Sequence, residues 1–556
     1  MTDDQDLHMN SMAFMPNVRN KIATSGVRFQ RHYCTSAFCC PSRVSLLTGK
    51  CVHNTNVTEV SPPHGAYDKF VRQGLNNDYL PLWLQDAGIS TYYVGKLMNG
   101  LTIDNYRSPP PRGWTGSHFL LDPGAYDYLN STWTLDNHDW VSHSGVNAID
   151  ATTKHSVDML HRAIDDGKPF FMVVAPTTPH IGINASNNRH SYHPIPPARW
   201  KDAFADRFVP RTPNWNSKNH QSGASWLRNL PRLNDSAVAD LDELYRARAR
   251  CIAGVDDMVD HLLSVLEEAG ITNKTHIVFT TDNGYHMGQH RLGPGKKQGF
   301  ETDIHIPLVW RGPGVPEGRL IDAVSTHTDM APTFLALFGL PLRTNLDGRV
   351  IPAVVPGANP QSKPSEHLNV ELWGGGHPYE LGPYASLNSE IPGVANNTYK
   401  ALRIVGGKYS LYYSVWCTNE HELYDMVADE HQTTNLLPHT FDILDASNMN
   451  ATSRRSLFGR PLYPVVQRLD ALLMVLKACV GEQCTYPWRQ LHPLGDIETL
   501  EQAMDSGFDL FYEAQPKVSF AACEAAYLPE VEGPQEVIQY RPEKLARWRE
   551  CLALVS

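Results

Sequence analysis

The 556-residue sequence lacks the features of a nucleic-acid-binding or membrane-spanning protein. It has no run of Lys and Arg, and its formal charge of −11 at pH 7 argues against a polyphosphate partner. No apolar run is long enough to cross a bilayer, and neither internal repeats nor low-complexity tracts occur. These absences leave a globular protein with 42% hydrophobic residues, long enough for one large domain and a smaller one.

The chain also begins without the apolar core of a secretory leader, because residues 1–6 read Met-Thr-Asp-Asp-Gln-Asp. Asn-x-Ser/Thr acceptors nevertheless favour a secretory route, to the outside or to a vacuole or lysosome. Among the ten cysteines, Cys479 and Cys484 are the most plausible local disulfide. The acceptors begin at Asn56, Asn130, Asn184, Asn234, Asn273, Asn396 and Asn450.

The most informative stretch is residues 38–50, Phe-Cys-Cys-Pro-Ser-Arg-Val-Ser-Leu-Leu-Thr-Gly-Lys. Pro41 suits the first position of a helix, and the pattern predicts one or two helical turns over residues 42–47, ended by Gly49. This places Cys39 beside a helix N-terminus, where free N–H groups favour negative charge, and Arg43 can reach the same place. The arrangement predicts a site for an oxyanion ester. Two adjacent cysteines on their own are more typical of half-cystines or buried thiols.

Cys-x-Pro-Ser-Arg followed by Leu-Thr-Gly resembles the signature of the type I sulfatases, in which the first Cys is oxidised to formylglycine after synthesis. The resemblance places that residue at Cys39 and implies hydrolysis of a small-molecule or sugar sulfate ester to alcohol or phenol and inorganic sulfate. It also implies a formylglycine-generating enzyme as partner. Asn99 is similar to the residue found in fungal-type arylsulfatases and N-acetylglucosamine-6-sulfatases.

The fold that the resemblance implies is an alkaline-phosphatase-like three-layer α/β/α sandwich with a smaller C-terminal subdomain on a short antiparallel sheet. The family's Asp-Asp pair ends an apolar strand, so we expect the first strand of this chain to be truncated. Residues 237–268 predict one amphipathic helix, and the Pro- and Gly-rich residues 100–160 predict a long loop at a substrate rim. The predicted parts are a catalytic α/β domain (1–345), a connector with rim loops (346–395), the antiparallel subdomain (396–440) and a mostly helical extension (441–556).

Three polar residues directly follow apolar strand patterns, and they are Lys96, His180 and Asp282. The carboxyl ends of strands in an open α/β sheet lie at one edge, where ligands bind, so we expect these residues to meet. By resemblance, Lys96 contacts the sulfate and His180 transfers protons. Lys296 is the second sulfate-contacting Lys, because it lies five residues before Glu301.

The same resemblance assigns a metal site to Asp3, Asp4, Asp282 and Asn283, together with the modified residue 39. Ligands that offer only oxygen suit a hard cation, so calcium is predicted ahead of magnesium. Zinc would require His or thiolate ligands. The predicted substrate-binding residues are Asn99, His286 and His290.

Two other functions remain open from the sequence. One is a phosphomonoesterase or phosphodiesterase of the same superfamily, which would use Ser or Thr and usually two zinc ions; Cys39 argues against it. The other is an inactive secreted relative that binds glycans, against which the intact Cys39, Arg43 and Lys96 count. The sequence leaves the natural ester and the oligomeric state undetermined.

Overall fold

The computed structural model describes residues 1–185, 191–219, 223–357, 365–374, 397–444 and 456–542. Its strands fall into three larger sheets and several two-stranded ones. In chain order the strands are β1 (Val27–Phe29), β2 (His32–Tyr33), β3 (Ser90–Gly95), β4 (Gly116–Leu120), β5 (Asn130–Leu135), β6 (Val141–Ser144), β7 (Phe170–Ala175), β8 (Gly182–Ile183), β9 (Ser191–Tyr192), β10 (Ile277–Thr280), β11 (His286–Met287), β12 (Pro294–Gly295), β13 (Leu308–Arg311), β14 (Arg319–Ile321), β15 (Ser325–Thr326), β16 (His367–Leu372), β17 (Tyr399–Val405), β18 (Ser410–Trp416), β19 (His421–Asp425), β20 (Ser456–Leu457) and β21 (Arg460–Pro461).

The helices range from single turns to one of 34 residues. They are α1 (Cys39–Thr48), α2 (Val52–Thr55), α3 (Ala66–Arg72), α4 (Leu80–Asp86), α5 (Ala148–Asp165), α6 (Ser225–Arg228), α7 (Asp235–Glu268), α8 (Glu301–Ile304), α9 (Met330–Leu337), α10 (Leu462–Leu476), α11 (Glu482–Thr485), α12 (Trp488–Leu491), α13 (Leu500–Ala503) and α14 (Asp509–Glu513). A π-helical turn covers Val18–Ala23, and 3₁₀ turns cover Ser11–Phe14, Leu75–Asn77, Gly124–Tyr126, Ala198–Trp200, Thr272–Lys274, His327–Asp329, Pro352–Val354, Ser506–Phe508 and Pro529–Val531.

Two sheets form the catalytic part, and the first residues of the chain lie between them. One sheet has the order β6-β5-β4-β3-β7, in which β3 pairs in parallel with β4 and β7. The other has the order β10-β13-β1-β14. The Thr2 N–H donates to Thr280 at the end of β10 (3.0 Å), and the Asp3 N–H donates to Thr178 just beyond β7 (3.1 Å). Residues 2 and 3 therefore connect the carboxyl ends of a strand from each sheet.

Helices cover both faces of these sheets, because alternate side chains of a strand enter different cores. Tyr93 of β3 packs in the same apolar cluster as Val44 of α1. Its neighbours Tyr92 and Val94 pack with Met159 of α5 on the opposite face. The expected three layers, helices on a central sheet layer on helices, are present.

The prediction of a long loop over residues 100–160 was wrong. This segment contains β4, β5 and β6, of which β5 pairs antiparallel with both neighbours. Its aromatic residues pack inward, and Trp133 is fully buried beside Tyr92. The Pro and Gly residues that suggested a loop lie mostly in the turns between these elements.

The predicted helix over residues 237–268 is confirmed as α7, and it packs against α5. Its buried side chains form one stripe that includes Leu241, Leu244 and Met258. Gly270, which follows it, has φ +68°, a left-handed conformation that suits a helix end. Within the described ranges no helix combines the length and the apolar character that crossing a bilayer requires.

The predicted small antiparallel sheet is present, with the strand order β16-β17-β18-β19. Its strand β16 lies in the segment 346–395 that was predicted as a connector, and it pairs with β17 over six residues. One face of the sheet packs against α10 in the largest apolar cluster of the molecule. The four domain boundaries themselves stay a prediction, and Asn396 and Asn450 lie outside the described residues.

Two disulfides join parts of the C-terminal region. The predicted pair Cys479–Cys484 is confirmed, and a second bond links Cys417, directly after β18, to Cys523. The free thiols among the described residues are all buried, and they belong to Cys34, Cys39, Cys40, Cys51 and Cys251.

Candidate active site

Cys39 is the first residue of α1, so the helix begins earlier than the predicted start at residue 41. Phe38 is extended (φ −149°), and its carbonyl accepts the first helical hydrogen bond from the Ser42 N–H (3.0 Å). The helix ends where predicted, at Gly49, which has φ +65°. Burial raises the pKa of the Cys39 thiol well above its usual value, although Lys296 and Lys96 oppose this. The unmodified side chain is therefore a neutral thiol at physiological pH.

Three carboxylates converge beside this thiol. The Cys39 Sγ lies 3.6 Å from Oδ1 of Asp3 and 3.7 Å from Oδ1 of Asp4. Asp3, Asp4 and Asp282 each place one carboxylate oxygen within 4.8 Å of the others. The Asp4 N–H donates to Oδ1 of Asp282 (3.0 Å), and Asp4 holds a left-handed conformation with φ +67°. Residues separated by 278 positions in the chain thus meet at the start of α1.

Asn283 adds a side-chain amide to this cluster. Its Nδ2 donates to Oδ1 of Asp4 (2.7 Å), whereas its Oδ1 is buried without a hydrogen-bond partner. A buried oxygen is costly unless something donates to it or coordinates through it. Three carboxylates and this amide oxygen are a donor set that fits a hard divalent cation.

Arg43 connects the carboxylates of Asp3 and Asp282. Its Nε donates to Oδ2 of Asp282 (2.8 Å) and its Nη2 to Oδ2 of Asp3 (3.3 Å). A third hydrogen bond reaches the backbone carbonyl of Lys96. Because Arg43 lies one helical turn after Cys39, helix α1 sets the distance between the guanidinium and the thiol.

The two predicted lysines reach the same carboxylates. Lys96, the residue after β3, places its Nζ 2.5 Å from Oδ2 of Asp3, and Lys296 pairs with both carboxylate oxygens of Asp4. Burial by itself would raise the pKa of Asp3, but Lys96 and Arg43 hold it below its usual range. Three cations thus balance three carboxylates in a site that water hardly reaches.

His180 completes the cluster from the loop after β7. Its Nδ1–H donates to the carbonyl of Ile181 (2.8 Å), so the other nitrogen, Nε2, is directed at Oδ2 of Asp4 (3.6 Å). Polar atoms of Asp3, Cys39 and His180 lie within 4.8 Å of one another. All the predicted catalytic and metal-ligand residues are therefore brought into one buried pocket.

Of the predicted substrate-binding residues, Asn99 is connected to the pocket by Tyr126, which contacts both Asn99 and the pocket residues Lys96 and His180. The Tyr126 ring contacts the Lys96 ammonium (4.9 Å to the centroid) and the His180 ring (4.5 Å between centroids). The Asn99 Nδ2 donates to the Tyr126 hydroxyl (2.8 Å), and the Asn99 Oδ1 is buried without a partner. Sequence reasoning missed Tyr126, because it lies in the segment taken as a loop and no motif marks it.

The two other predicted substrate-binding residues differ in their surroundings. His286 lies in β11 and pairs across the strands with Gly295, the residue before Lys296. The His286 Nδ1 contacts Oδ1 of Asp303 (2.8 Å), and the His286 Nε2 is buried without a hydrogen-bond partner. His290 stacks on a phenylalanine ring at 3.8 Å and contacts an asparagine amide (3.2 Å). These contacts of His290 serve packing, and its substrate role stays a prediction.

Three further residues that the sequence analysis missed position the ligands. The Ser42 hydroxyl donates to the carbonyl of Asp282 (2.5 Å) and also contacts Nδ1 of His327 (2.8 Å). Arg248 of α7 donates to the carbonyl of Asp4. Ser42 lies within the Cys39 motif and could have been found there, whereas His327 and Arg248 have no local signal.

A family model described as Sulfatase matches residues 1–340, which is more than half of the chain. The chain belongs to the sulfatase family. This sulfatase is 32% identical over 575 residues to an arylsulfatase of Volvox carteri, with 97% of this chain and 82% of the relative covered. It is 29% identical to the N-acetylglucosamine-6-sulfatase of Homo sapiens, with 88% of this chain and 85% of the relative covered.

Solved structures agree with the fold. One, a protein in complex with its substrate D-glucosamine-2-N,6-O-disulfate, superposes with a TM-score of 0.63 at 20% identity, covering 84% of this chain and 96% of that chain. A phosphonate monoester hydrolase from Silicibacter pomeroyi has a TM-score of 0.55 at 20% identity, covering 82% of this chain and 92% of that chain. The alkaline-phosphatase-like fold is therefore confirmed.

Family membership also establishes the class of reaction. This sulfatase is a sulfuric ester hydrolase of the arylsulfatase type, as its motif predicted. A metal ion and a formylglycine belong to the family in general.

Proposed function

We propose that this sulfatase cleaves sulfate monoesters in the pocket around Cys39, after that residue has been converted to formylglycine. The observation that supports this is the convergence of the Cys39 Sγ with the carboxylates of Asp3 and Asp4, at 3.6 and 3.7 Å. Lys96 and Lys296 contact the same two carboxylates. Nucleophile, metal ligands and anion-binding cations are thus within one ligand's reach.

Calcium is the ion that the donor set favours, with Asp3, Asp4, Asp282 and Asn283 as its protein ligands. All four offer oxygen, and the Oδ1 of Asn283 lacks any other partner. A bound ion would supply Lewis-acid polarisation of a sulfate oxygen.

The ammonium groups of Lys96 and Lys296 have a second role in this proposal. Both now neutralise carboxylates that a divalent cation would neutralise instead. They can then donate to the sulfate oxygens, where negative charge builds up during transfer. Arg43 bridges Asp3 and Asp282 and keeps the ligand side of the pocket fixed.

The thiol of Cys39 is unsuited to the reaction as it stands. It is protonated, because burial raises its pKa, and a thiol that had accepted a sulfuryl group has no second hydroxyl with which to release sulfate. Formylglycine supplies both hydroxyls as its hydrate, one for attack and one for release. The enzyme would therefore need a formylglycine-generating enzyme as partner.

His180 is the proposed proton donor to the departing oxygen. Its Nδ1–H is bound to a backbone carbonyl, so Nε2 is the nitrogen available on the pocket side. The Tyr126 ring packs against it and holds its orientation. General acid catalysis by a His positioned in this way typically contributes 10²–10⁴-fold.

For the alcohol side of the ester we propose an aryl or sugar group, as in the names of the arylsulfatase and N-acetylglucosamine-6-sulfatase relatives. The unpartnered Oδ1 of Asn99, beside Tyr126, suits a group that brings a hydroxyl or amide donor. Two disulfides support an oxidising compartment and hence the secretory route.

Mass spectrometry of the tryptic peptide 32–43 tests the nucleophile. Protein from a host with the modifying enzyme should carry an aldehyde in place of the Cys39 thiol, and the Cys40 thiol should remain. A Cys39→Ala variant should lose at least about 10⁴-fold in kcat/KM for an aryl sulfate. The matched control is Cys40→Ala, whose side chain lies in an apolar cluster, and which should keep activity within a few-fold.

Two results would contradict the proposal. One is thiol or disulfide alone at residue 39 in active protein. The other is faster hydrolysis of an aryl phosphate than of the matching aryl sulfate, which would favour the phosphoesterase alternative. Calcium is tested separately: a calcium chelator should abolish activity, added calcium should restore it, and a zinc-selective chelator should leave it unchanged.

A further inference from the structure

A second group of potential metal ligands is formed by His8, Glu301 and His305, none of which belongs to the group around Cys39. Nε2 of His8 is 2.9 Å from Nδ1 of His305, and that same Nδ1 is 3.3 Å from Oε2 of Glu301. The three ligand atoms lie within 4.8 Å of one another. They come from distant parts of the sequence: His8 lies near the start of the chain, Glu301 is the first residue of α8, and His305 directly follows that helix.

The hydrogen bonds of His305 fix which ring nitrogen faces the group. Its Nε2 lies 2.8 Å from the backbone carbonyl of Gln30, which can only accept, so Nε2 carries the hydrogen. In the neutral ring, Nδ1 therefore presents a lone pair to His8 and Glu301. The Tyr33 ring stacks on His305 at 4.8 Å and holds it in place. A backbone carbonyl on the remote nitrogen is the usual support of a metal-ligating His.

The carboxylate of Glu301 is also held in an orientation that directs one of its two oxygens toward His305. Arg403 donates through Nε to Oε1 (2.6 Å), which leaves Oε2 on the side of His305. Burial would raise the pKa of Glu301, but Arg403 keeps it below its usual range, so it is ionised. Arg403 thus orients Glu301 in the way that an outer partner orients a ligating carboxylate.

Protons alone satisfy these three atoms poorly. A neutral His8 ring carries a single N–H, so it can bring at most one hydrogen to the shared space. That hydrogen can be donated either to the Nδ1 of His305 or to the Oε2 of Glu301. The other acceptor then receives no hydrogen from His8 and lies close to the lone pairs of its neighbours. A cation at the common point would satisfy all three.

We propose that His8 Nε2, His305 Nδ1 and Glu301 Oε2 bind one divalent transition-metal ion of the zinc class, with water as the fourth ligand. Ligand atoms at the usual zinc distances in a tetrahedron are about 3.3 Å apart, which matches the 3.3 Å between His305 and Glu301, while the 2.9 Å between the two His nitrogens would widen slightly on binding. Two imidazoles and one carboxylate suit zinc, whereas calcium prefers oxygen alone. His8 and His305 are partly exposed, so an ion and a water can enter.

Such an ion would link the two segments that carry Asp4 and Lys296, which both belong to the pocket around Cys39. His8 lies four residues after Asp4, and Glu301 lies five residues after Lys296. Because Asp4 and Lys296 are themselves in contact, the ion would close a second connection between the same two segments. Its role is to stabilise this part of the fold, and it does not depend on the turnover of an ester.

The test uses the full chain, held in excess calcium, with Zn²⁺ as the probe. Isothermal titration and metal analysis after dialysis should show one zinc per chain in the wild type and none in His8→Gln or His305→Gln. Zinc should raise the thermal unfolding midpoint of the wild type but not that of His8→Gln or His305→Gln. His261→Gln is the matched control, since His261 is an exposed His on α7, and it should bind zinc as the wild type does.

Zinc-edge X-ray absorption of the wild type gives a second measurement that needs no variant. We expect scattering from two imidazole rings and no sulfur. Sulfur in the first shell would place the ion with Cys39 or Cys51 and overturn the proposal. Equal zinc binding by the wild type and both histidine variants, or none by the wild type, would overturn it as well. None of these readouts uses sulfatase activity, so they are independent of the proposed catalytic roles.

Discussion

The candidate active site around Cys39 and the C-terminal core bury side chains of opposite kinds. Around Cys39, three carboxylates and three cations are buried together, and almost every contact is an ion pair or a hydrogen bond. In the C-terminal region, α10 buries every residue but Pro464, mostly Leu and Val, against the sheet β16-β17-β18-β19. The first region contains buried charged groups, and the second contributes buried apolar surface of the kind that drives folding.

The difference indicates which region supports activity and which supports stability. Burying ionised groups is expensive, and ion pairs in the interior rarely repay that cost in full. A pocket of six such groups must therefore be held in shape by apolar packing elsewhere in the fold. We expect changes in the pocket to affect mainly activity, and changes in the C-terminal core to affect mainly stability.

Removing the disulfide Cys417–Cys523 should give the largest effect on stability. It closes a loop with a sequence separation of 106 residues, and the double variant Cys417→Ala/Cys523→Ala should lose about 4–5 kcal/mol of unfolding free energy. Cys479→Ala/Cys484→Ala is the matched control, because its loop spans only 5 residues and should cost about 2 kcal/mol. Denaturant unfolding measures both; a larger loss from the short loop would contradict the expectation.

Lys296→Ala should give the largest effect on activity among these variants. Loss of one cation at the sulfuryl oxygens should lower kcat/KM about 10²–10³-fold. Lys297→Ala is the matched control, since the Lys297 ammonium lies over the Phe38 ring at 4.4 Å, and its loss should cost less than tenfold. Steady-state kinetics with an aryl sulfate decides between them, and a larger loss in Lys297→Ala would reverse the assignment.

The charge balance of the pocket predicts a pH dependence of stability. Lys96 and Arg43 hold the pKa of Asp3 below its usual range against the effect of burial. The folded value thus lies below the unfolded value of about 3.9, so the stabilisation is complete above that pH and is lost as the pH falls through the folded value.

Without calcium, the unfolding free energy of the wild type should therefore fall between about pH 4 and pH 2, and that of Asp3→Asn should fall less. We expect the two decreases to differ by more than about 1 kcal/mol. The exposed Asp206→Asn serves as control and should follow the wild-type curve. Parallel curves for wild type and Asp3→Asn would show that the Asp3 carboxylate contributes nothing to acid sensitivity. Denaturant titrations at each pH provide the measurement.

Tyr126→Phe should give the smallest effect. It keeps the ring against Lys96 and His180 but removes the hydroxyl that accepts from Asn99, which is worth about 1 kcal/mol. We expect KM for the ester to rise a few-fold with little change in kcat. Tyr92→Phe, whose hydroxyl contacts Asp166 away from the pocket, is the control and should leave both constants unchanged.

Much of the pocket could be predicted because its residues lie in recognisable local patterns. Cys39 and Arg43 belong to one motif on one helix, and Lys96, His180 and Asp282 lie within a few residues of the ends of apolar strands. The remaining contributors had no such signal. Tyr126 lies between short strands in a Pro- and Gly-rich segment, and Arg248 is one of several arginines on α7; only the packing of distant elements gives them a place in the site.

The sequence by itself determined the family, the helix that carries the Cys39 motif, the amphipathic α7 and the Cys479–Cys484 disulfide, because each depends on residues close together in the chain. The tertiary structure decided which side chains from distant parts of the chain contact one another. It alone placed His8 against His305, nearly three hundred residues away, and left the Oδ1 of Asn283 without a partner among the carboxylates. The physical reason is that ligand geometry and charge balance depend on distances in space, which follow from how sheets and helices pack.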